Sequence, residues 1–436
     1  MSMFFDSATR GPIFGSFLMC ICAAVSGVLV FLRKRTLVGE TLSHATYPGI
    51  VLGGFVCAFF DGLVSPVVLL LCAFLFSLGG YYLLRLIEEK GKVDPDNALC
   101  FTLAFSLGLG VLLASQLQAE SPLWARRVQS YLYGQAVTLT DTHIYLYGIL
   151  TAAVVLFVVI RFREIEVAIF DRVFASSVGV KLKGVEAALM FLLSISIVVG
   201  IRCVGVILMS GMLIAPSIVA RQVSRSLGKM IFFAALVGGV SAALGTGIAF
   251  YYSTSLESGA KISLPPGPVI ILVASLWSVL AVFFAPSRGL VFRLYRSVTF
   301  HLRCQSENLI KSIWKKAGNG VTRLKDVLAC HSQQKWLLRL LIWKLSRDGW
   351  IIVDGLGGVS LTRDGFAKAE HIVRMHRLWE VYLVNHLGVS AKKVHRSAEE
   401  IEHILSPELE KELLSFVGNS THDPHESPIP GQGGVL

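Results

Sequence analysis

The feature that most constrains this chain is a succession of apolar stretches, each about 20 residues long, the length of helix that crosses a bilayer's hydrocarbon core. They lie near 13–32, 42–60, 64–86, 97–117, 141–160, 184–201, 203–220, 229–251 and 268–286. In hydrocarbon each backbone polar group must be satisfied within its own segment, so each stretch is expected to be a helix. The seventh follows the sixth directly after Arg202 and contains Pro216, so it is the one that could be broken or re-entrant. A mean hydropathy of +0.65 with only 16% charged residues excludes an ordinary soluble globular chain.

The averages conceal a boundary. Residues 1–299 hold 22 Lys/Arg and 14 Asp/Glu, whereas the much shorter 300–436 holds 18 and 15. Charge density therefore doubles at about residue 300, and a membrane part gives way to a soluble one. Nine spans with the N-terminus outside put 17 of the 22 basic residues of 1–299 on the inner side, in Arg33–Arg35, Arg85–Lys92, Arg161–Lys183, Arg221–Lys229 and Arg288–Arg296. A shift by one span would reverse that ratio, so the positive-inside rule sets the orientation and places the tail in the cytoplasm. No removable signal peptide is expected, and insertion rests on the spans themselves. The eight cysteines form no CxxC pair and fall mostly in apolar runs, which argues against a disulfide framework or a zinc ribbon.

Two features of the membrane part carry chemistry. Glu40 and His44 stand four residues apart at the opening of the second span and so share a helix face. A carboxylate and an imidazole in an apolar span suit a divalent cation, although the two could equally bond each other or interfacial water. The loop 161–183 reads as a short amphipathic helix over Phe170–Val178 ended by Gly179, a surface on which a partner could dock or an ordinary charged loop.

These stretches resemble ABC-type manganese, zinc and iron permeases: Gly39-Glu40-Thr41-Leu42-Ser43-His44-Ala45 with Pro48-Gly49-Ile50, then Asp171 to Gly179, then Gly205 to Pro216 ending at Arg221. The resemblance covers most of 10–290. It implies an ABC importer permease fold, places Glu40 and His44 on the metal path, and assigns Phe170, Asp171, Phe174, Ala175 and Gly179 to docking on an ATPase. The family commonly has Asp where this chain has Glu40. No GxxxxGK[ST] loop occurs, so no ATP site is expected here and hydrolysis falls to a separate ATPase subunit. The other implied partners are an extracytoplasmic metal-binding protein and a second permease subunit, the same chain or a sister. An ATP-independent carrier is the competing class, and it would need no docking loop.

In the tail, a basic segment over 287–305 is expected to link the last span to a winged helix-turn-helix at 306–362. Glu307–Lys316, Val321–Ala329 and 333–347 read as three helices, the last as recognition helix, and Trp350–Thr362 as a hairpin around Asp-Gly and Gly-Gly. Residues 363–436 carry the metal signal. His395, Glu399, Glu402 and His403 fall within one sector of a predicted helix, and His376 with Glu380 repeats the four-residue spacing one helix earlier. Six imidazoles and carboxylates without a thiolate suit Mn(II) or Fe(II) better than Zn(II), against the plainer reading of a solvated acidic face.

The tail is similar to diphtheria-toxin-repressor and manganese-repressor proteins in Arg347-Asp348-Gly349, Gly358–Gly365, His376–Glu380, His395–His403 with Leu405–Glu408, Asp423-Pro424-His425 and Pro428–Gly431. This resemblance implies that His376, Glu380, His395, Glu399, Glu402 and His403 are ligands, that the domain dimerises, and that it binds operator DNA. Glu399 stands where some members use Cys, and Asn308 where the first helix usually gives Met or Asp. In the recognition helix Lys335, Arg339 and Lys344 could hold phosphates, but Trp336, Leu337, Leu338, Leu340 and Trp343 replace the small polar residues that read base edges. The expectation is an importer permease in the bacterial inner membrane with a metal-responsive repressor attached, releasable by cleavage between about 287 and 305. The alternative is a tail that senses metal and closes the transporter.

Overall fold

The computed structural model describes residues 7–59, 66–255, 264–286, 288–317, 320–329, 335–354, 357–390, 394, 407–417 and 422–430. The chain divides into two compact units, Met1–Arg293 and Leu294–Leu436.

Among the described residues the first unit holds helices and the loops that join them. Its helices are α1 (Ser7–Leu32), α2 (Leu37–Phe59), α3 (Pro66–Gly91), α4 (Pro95–Glu120), α5 (Pro122–Tyr133), α6 (Asp141–Ile160), α7 (Phe162–Phe170), α8 (Arg172–Ser177), α9 (Leu182–Val204), α10 (Val206–Val223), α11 (Leu227–Ser255) and α12 (Pro266–Phe284). Among the described residues nine of these are long and apolar enough to cross a membrane, and they coincide with the nine apolar stretches of the sequence. The seventh is not broken: α10 runs unbroken through Pro216. The discontinuity falls earlier, at Gly205, whose φ of 99° is open to glycine and strained for other residues. The amphipathic α5, with Arg127 stacked on Trp124, has no counterpart in the apolar pattern.

Burial ranks the spans as hydropathy cannot. The most apolar part of α1 is 78% buried and that of α12 only 22%, at hydropathies of 2.4 and 2.3. Helix α1 packs on α6, α9, α10 and α11, while α2 packs on α3, α4 and α10. Close approach depends on small residues: a Cβ on Gly49 would lie 2.5 Å from the Cys72 carbonyl oxygen of α3.

The second unit opens within α13 (Leu290–Ala317) and continues with β1 (Thr322–Arg323), α14 (Leu324–Ala329), α15 (Lys335–Arg347), β2 (Ile351–Val353), β3 (Gly358–Leu361), α16 (Arg363–Asn385) and α17 (Pro407–Val417). The strands form an antiparallel sheet in the order β1-β3-β2, with Ile351 opposite Leu361 and Thr322 opposite Val359. The hairpin is the expected wing. The third strand, β1, is too short at two residues to show an alternating pattern. Leu309, Ile310, Ile313, Leu341, Leu345, Ile351 and Val359 pack into one core, which joins the three helices to the sheet. Thr362 caps α16 by accepting from the Gly365 amide at 3.0 Å. One boundary differs from expectation: α13 is continuous, so the basic segment and the first helix of the winged domain are a single rod with no break near 305. The same helix carries Arg293, Arg296 and Arg303 along one side and Leu290, Leu294, Val298 and Leu302 along another, so its periodicity persists through the basic stretch.

Candidate functional site

Helix α2 positions the first pair. Glu40 lies in its first turn and His44 one turn further in, both half-buried. The hydroxyls between them are already committed to the backbone: Thr41 donates to the Leu37 carbonyl at 2.9 Å and Ser43 to that of Gly39 at 2.7 Å. Among the described residues no hydrogen bond or ion pair joins Glu40 to His44, and His44 Nδ1 is buried without a hydrogen-bond partner. The two therefore do not satisfy each other. An imidazole nitrogen held off water with no partner is costly, and a divalent cation is one species whose chemistry would satisfy it.

The segment expected to dock is built as two short helices rather than one. Asp171 caps α8, its Oδ1 accepting from the Phe174 amide at 2.9 Å. Gly179, at φ 85°, ends it and lets the Val180 amide reach back to the Ala175 carbonyl. Ala175 is fully buried, whereas Phe170 and Phe174 are exposed. Of the five expected docking residues, two thus present side chains outward, one seats the helix, and two shape its ends. Val173, 80% exposed, and Val178 extend the same apolar surface and were not singled out by the sequence. Their signal was available, since an apolar side chain beside a capped six-residue helix has little core to join.

In the tail, α16 holds His376 and Glu380 at 4% and 2% exposure, with His376 Nε2 and Glu380 Oε1 3.2 Å apart. A fully buried imidazole and carboxylate one turn apart are not a solvated acidic face. His395, Glu399, Glu402 and His403 lie outside the described residues, and among the described ones no group of three or more His, Cys, Asp or Glu converges. Asn308 on α13, at the position where the resemblance usually puts Met or Asp, has its Oδ1 buried without a hydrogen-bond partner. The buried carboxylate and imidazole are donor types that fit a hard or borderline divalent ion. Asp423, which spacing alone did not mark, fixes the end of the domain. It takes the His425 and Ser427 amides at 2.8 Å each and faces Arg377 Nε at 3.5 Å, while Arg377 also donates to the Pro428 carbonyl.

The expected recognition helix, α15, turns Leu338, Leu341 and Leu345 into the core and Trp336, Arg339, Leu340 and Trp343 outward. Lys344 is half-buried, and the Lys335 side chain is outside the described set. Arg347, not picked out for this role, lies over the Trp343 ring at 5.5 Å.

Comparison with known proteins places both halves. Residues 6–285 match the ABC 3 transport family. The chain belongs to that family. Residues 362–431 match the iron dependent repressor, metal binding and dimerisation domain, so a metal permease subunit and a repressor-type metal-binding domain share one polypeptide. A probable metal transport system membrane protein of Chlamydia pneumoniae is 33% identical over 432 residues, 95% of each chain. The manganese transport system membrane protein MntC of Bacillus subtilis is 29% identical over 384 residues, 88% of this chain and 85% of its own. Among solved structures, PsaBC of Streptococcus pneumoniae in complex with Fab superposes with a TM-score of 0.56 at 24% identity, covering 66% of this chain and 95% of the other, and shares the fold of the membrane unit.

Proposed function

We propose that this ABC 3 family member is the permease subunit of a bacterial inner-membrane importer for manganese or iron. In this reading its tail is a cytoplasmic metal-dependent repressor of the same uptake system. The observation that carries the reading is the pairing, in one chain, of an unsatisfied imidazole on the α2 path with a buried His376–Glu380 pair in a repressor-type domain. Metal crosses past Glu40 and His44, delivered by an extracytoplasmic binding protein and driven by a separate ATPase seated on Phe170, Val173 and Phe174. A second permease subunit completes the path. Cytoplasmic metal then loads His376 and Glu380 with His395, Glu399, Glu402 and His403. Loading neutralises the buried Glu380 carboxylate and favours pairing of two tails, whose α15 helices approach operator DNA with Lys335, Arg339 and Lys344 on phosphates. The ligand types favour Mn(II) and Fe(II) over Zn(II). Since α13 is helical from Leu290, cleavage that frees the tail would fall in the short connection after Phe284 or require α13 to unwind.

The deciding experiment titrates purified residues 294–436 onto DNA upstream of the operon with Mn(II), anaerobic Fe(II) and Zn(II), beside a His395→Ala, Glu402→Ala variant. Metal-dependent binding that the variant loses supports the repressor and names its metal. The second reading, a tail that gates the transporter, is favoured by one observation: the outward face of α15 is Trp336, Leu340 and Trp343, a surface fitted to protein. Metal binding with no DNA binding, and transport that becomes insensitive to cytoplasmic metal when the tail is removed, would move the conclusion there.

A further inference from the structure

At the basic end of the membrane unit a single carboxylate holds three elements together. Glu186, on the first turns of α9, accepts through Oε1 from Arg172 Nη2 at 3.0 Å and Arg33 Nη1 at 3.5 Å, and through Oε2 from Arg85 Nη2 at 3.4 Å. Arg172 belongs to α8, Arg33 to the turn between α1 and α2, and Arg85 to the end of α3. Among the described residues Arg172 makes the one ion pair that α8 forms. The Arg33 side chain is only 7% exposed and its Nε is buried without a partner. Burial draws its guanidinium below the usual range, and Glu186 opposes that.

The turn that carries Arg33 is short and stiff. Lys34 sits at φ 58°, the Lys34 amide returns to the Phe31 carbonyl at 3.1 Å, and α2 begins at Leu37. Glu40 and His44 therefore ride on the helix that starts four residues after Arg33. A second, independent clamp joins the same turn to α3, with Arg35 Nη1 at 3.1 and 3.2 Å from the two Glu88 oxygens. Loss of Glu186 would leave α2 tied to α3 by that clamp and all three packed on α9, but would cut the ion-pair link of α2 and α3 to α8.

We propose that Glu186 is the positioning residue through which α8 moves α2 and α3, so that the ATPase cycle reaches Glu40 and His44 by way of Arg172, Glu186 and Arg33. The inference rests on the reading of α8 as the ATPase-docking helix. Interactions of this kind couple two sites only if the network is continuous and both ends bear on it. Here one carboxylate touches both α8 and the turn that opens the helix of Glu40 and His44, and two guanidiniums that would otherwise repel each other share its Oε1.

The test uses the full permease–ATPase complex in proteoliposomes with Mn(II) as cargo, and measures Mn(II) delivered per ATP hydrolysed. Glu186→Gln is expected to keep the ATPase bound and hydrolysing while that ratio falls about five- to tenfold, the lower range of allosteric coupling. Glu186→Asp, which keeps the charge, should recover much of it. Arg172→Gln, at a residue exposed enough to be spared by folding, should lower the ratio in the same way. An unchanged ratio in Arg172→Gln or Glu186→Gln overturns the proposal. So does a parallel fall of transport and hydrolysis at constant ratio, the signature of a mere brace. Phe174→Ala separates the underlying reading: it should strip the ATPase from the complex. If the ATPase stays bound, the docking assignment fails and the coupling route fails with it. If the ATPase is lost there but Glu186→Gln transports at the normal ratio, only the coupling route is wrong.

Discussion

Glu380→Gln probes the candidate metal site of the tail at the point where the structure is most specific. The carboxylate is 2% exposed and lies 3.2 Å from His376 Nε2. Glutamine keeps the shape and an oxygen that can still accept from the imidazole. Without metal the variant therefore loses only the charge-assisted part of one hydrogen bond, about 1 kcal/mol. With metal the difference is larger. A ligand at 100 times its dissociation constant stabilises the folded state by about 2.7 kcal/mol. For a unit the size of Leu294–Leu436, where 1 kcal/mol moves Tm by about 3–5 °C, Mn(II) should raise the wild-type midpoint by about 8–13 °C. Exchange of an anionic ligand for a neutral amide that weakens binding 100-fold leaves about 0.4 kcal/mol of that, a rise of about 1–2 °C. Differential scanning calorimetry of residues 294–436, with chelator and with Mn(II), reads both quantities. Protons compete with metal for the imidazole, so the wild-type rise should shrink as pH falls. A Glu380→Gln protein that starts about 3–5 °C lower but keeps the full metal-induced rise would refute the ligand role and leave the pair as a structural contact.

Four further outcomes follow from particular contacts. Val173→Asp, at a side chain 80% exposed, should leave the permease midpoint within about 0.5 kcal/mol of wild type while abolishing co-purification of the ATPase. Gly205→Ala places a Cβ 2.5 Å from the Leu132 carbonyl oxygen at φ 99°. It should cost about 3 kcal/mol or more and sharply reduce monodisperse protein after detergent extraction. His44→Ala should stop Mn(II) uptake into proteoliposomes without dissociating the complex, and uptake at the wild-type rate would remove His44 from the path. Arg339→Ala in the isolated tail should weaken DNA binding across all sequences and lower the salt slope by about one per site, as measured by fluorescence anisotropy.

Much of the architecture was legible without coordinates, because a bilayer demands about 20 apolar residues per helix and a chain either has them or does not. The nine spans, the boundary near 300, the stop at Gly179 and the four-residue spacing of His376 and Glu380 all follow from local chemistry. What hydropathy leaves open is which span is central. Lipid is as apolar as a protein core, so α1 and α12 look alike in sequence yet differ more than threefold in burial. The break at Gly205 in place of Pro216 shows the same limit, since a proline inside a span can be accommodated by its neighbours and a glycine's φ is set by what crosses it. The continuity of α13 was obscured because a basic segment reads equally as anchor or helix until its amphipathic period is followed through.

The functional sites divide along the same line. Glu40 with His44, and His376 with Glu380, were visible because helix geometry alone brings residues four apart onto one face. Whether each pair was self-satisfied could not be read from spacing: the first pair is not joined, and the second is. Glu186 was invisible in the sequence, one acidic residue near the start of an apolar helix. Its three arginines come from positions 33, 85 and 172, and charges that far apart along a chain meet only when the packing of the helices brings them together. Sequence thus determined what crosses the membrane and which residue types could hold a metal. Tertiary packing decided which helices lie at the centre, which polar atoms are left wanting a partner, and which carboxylate ties α8 to the turn that opens α2.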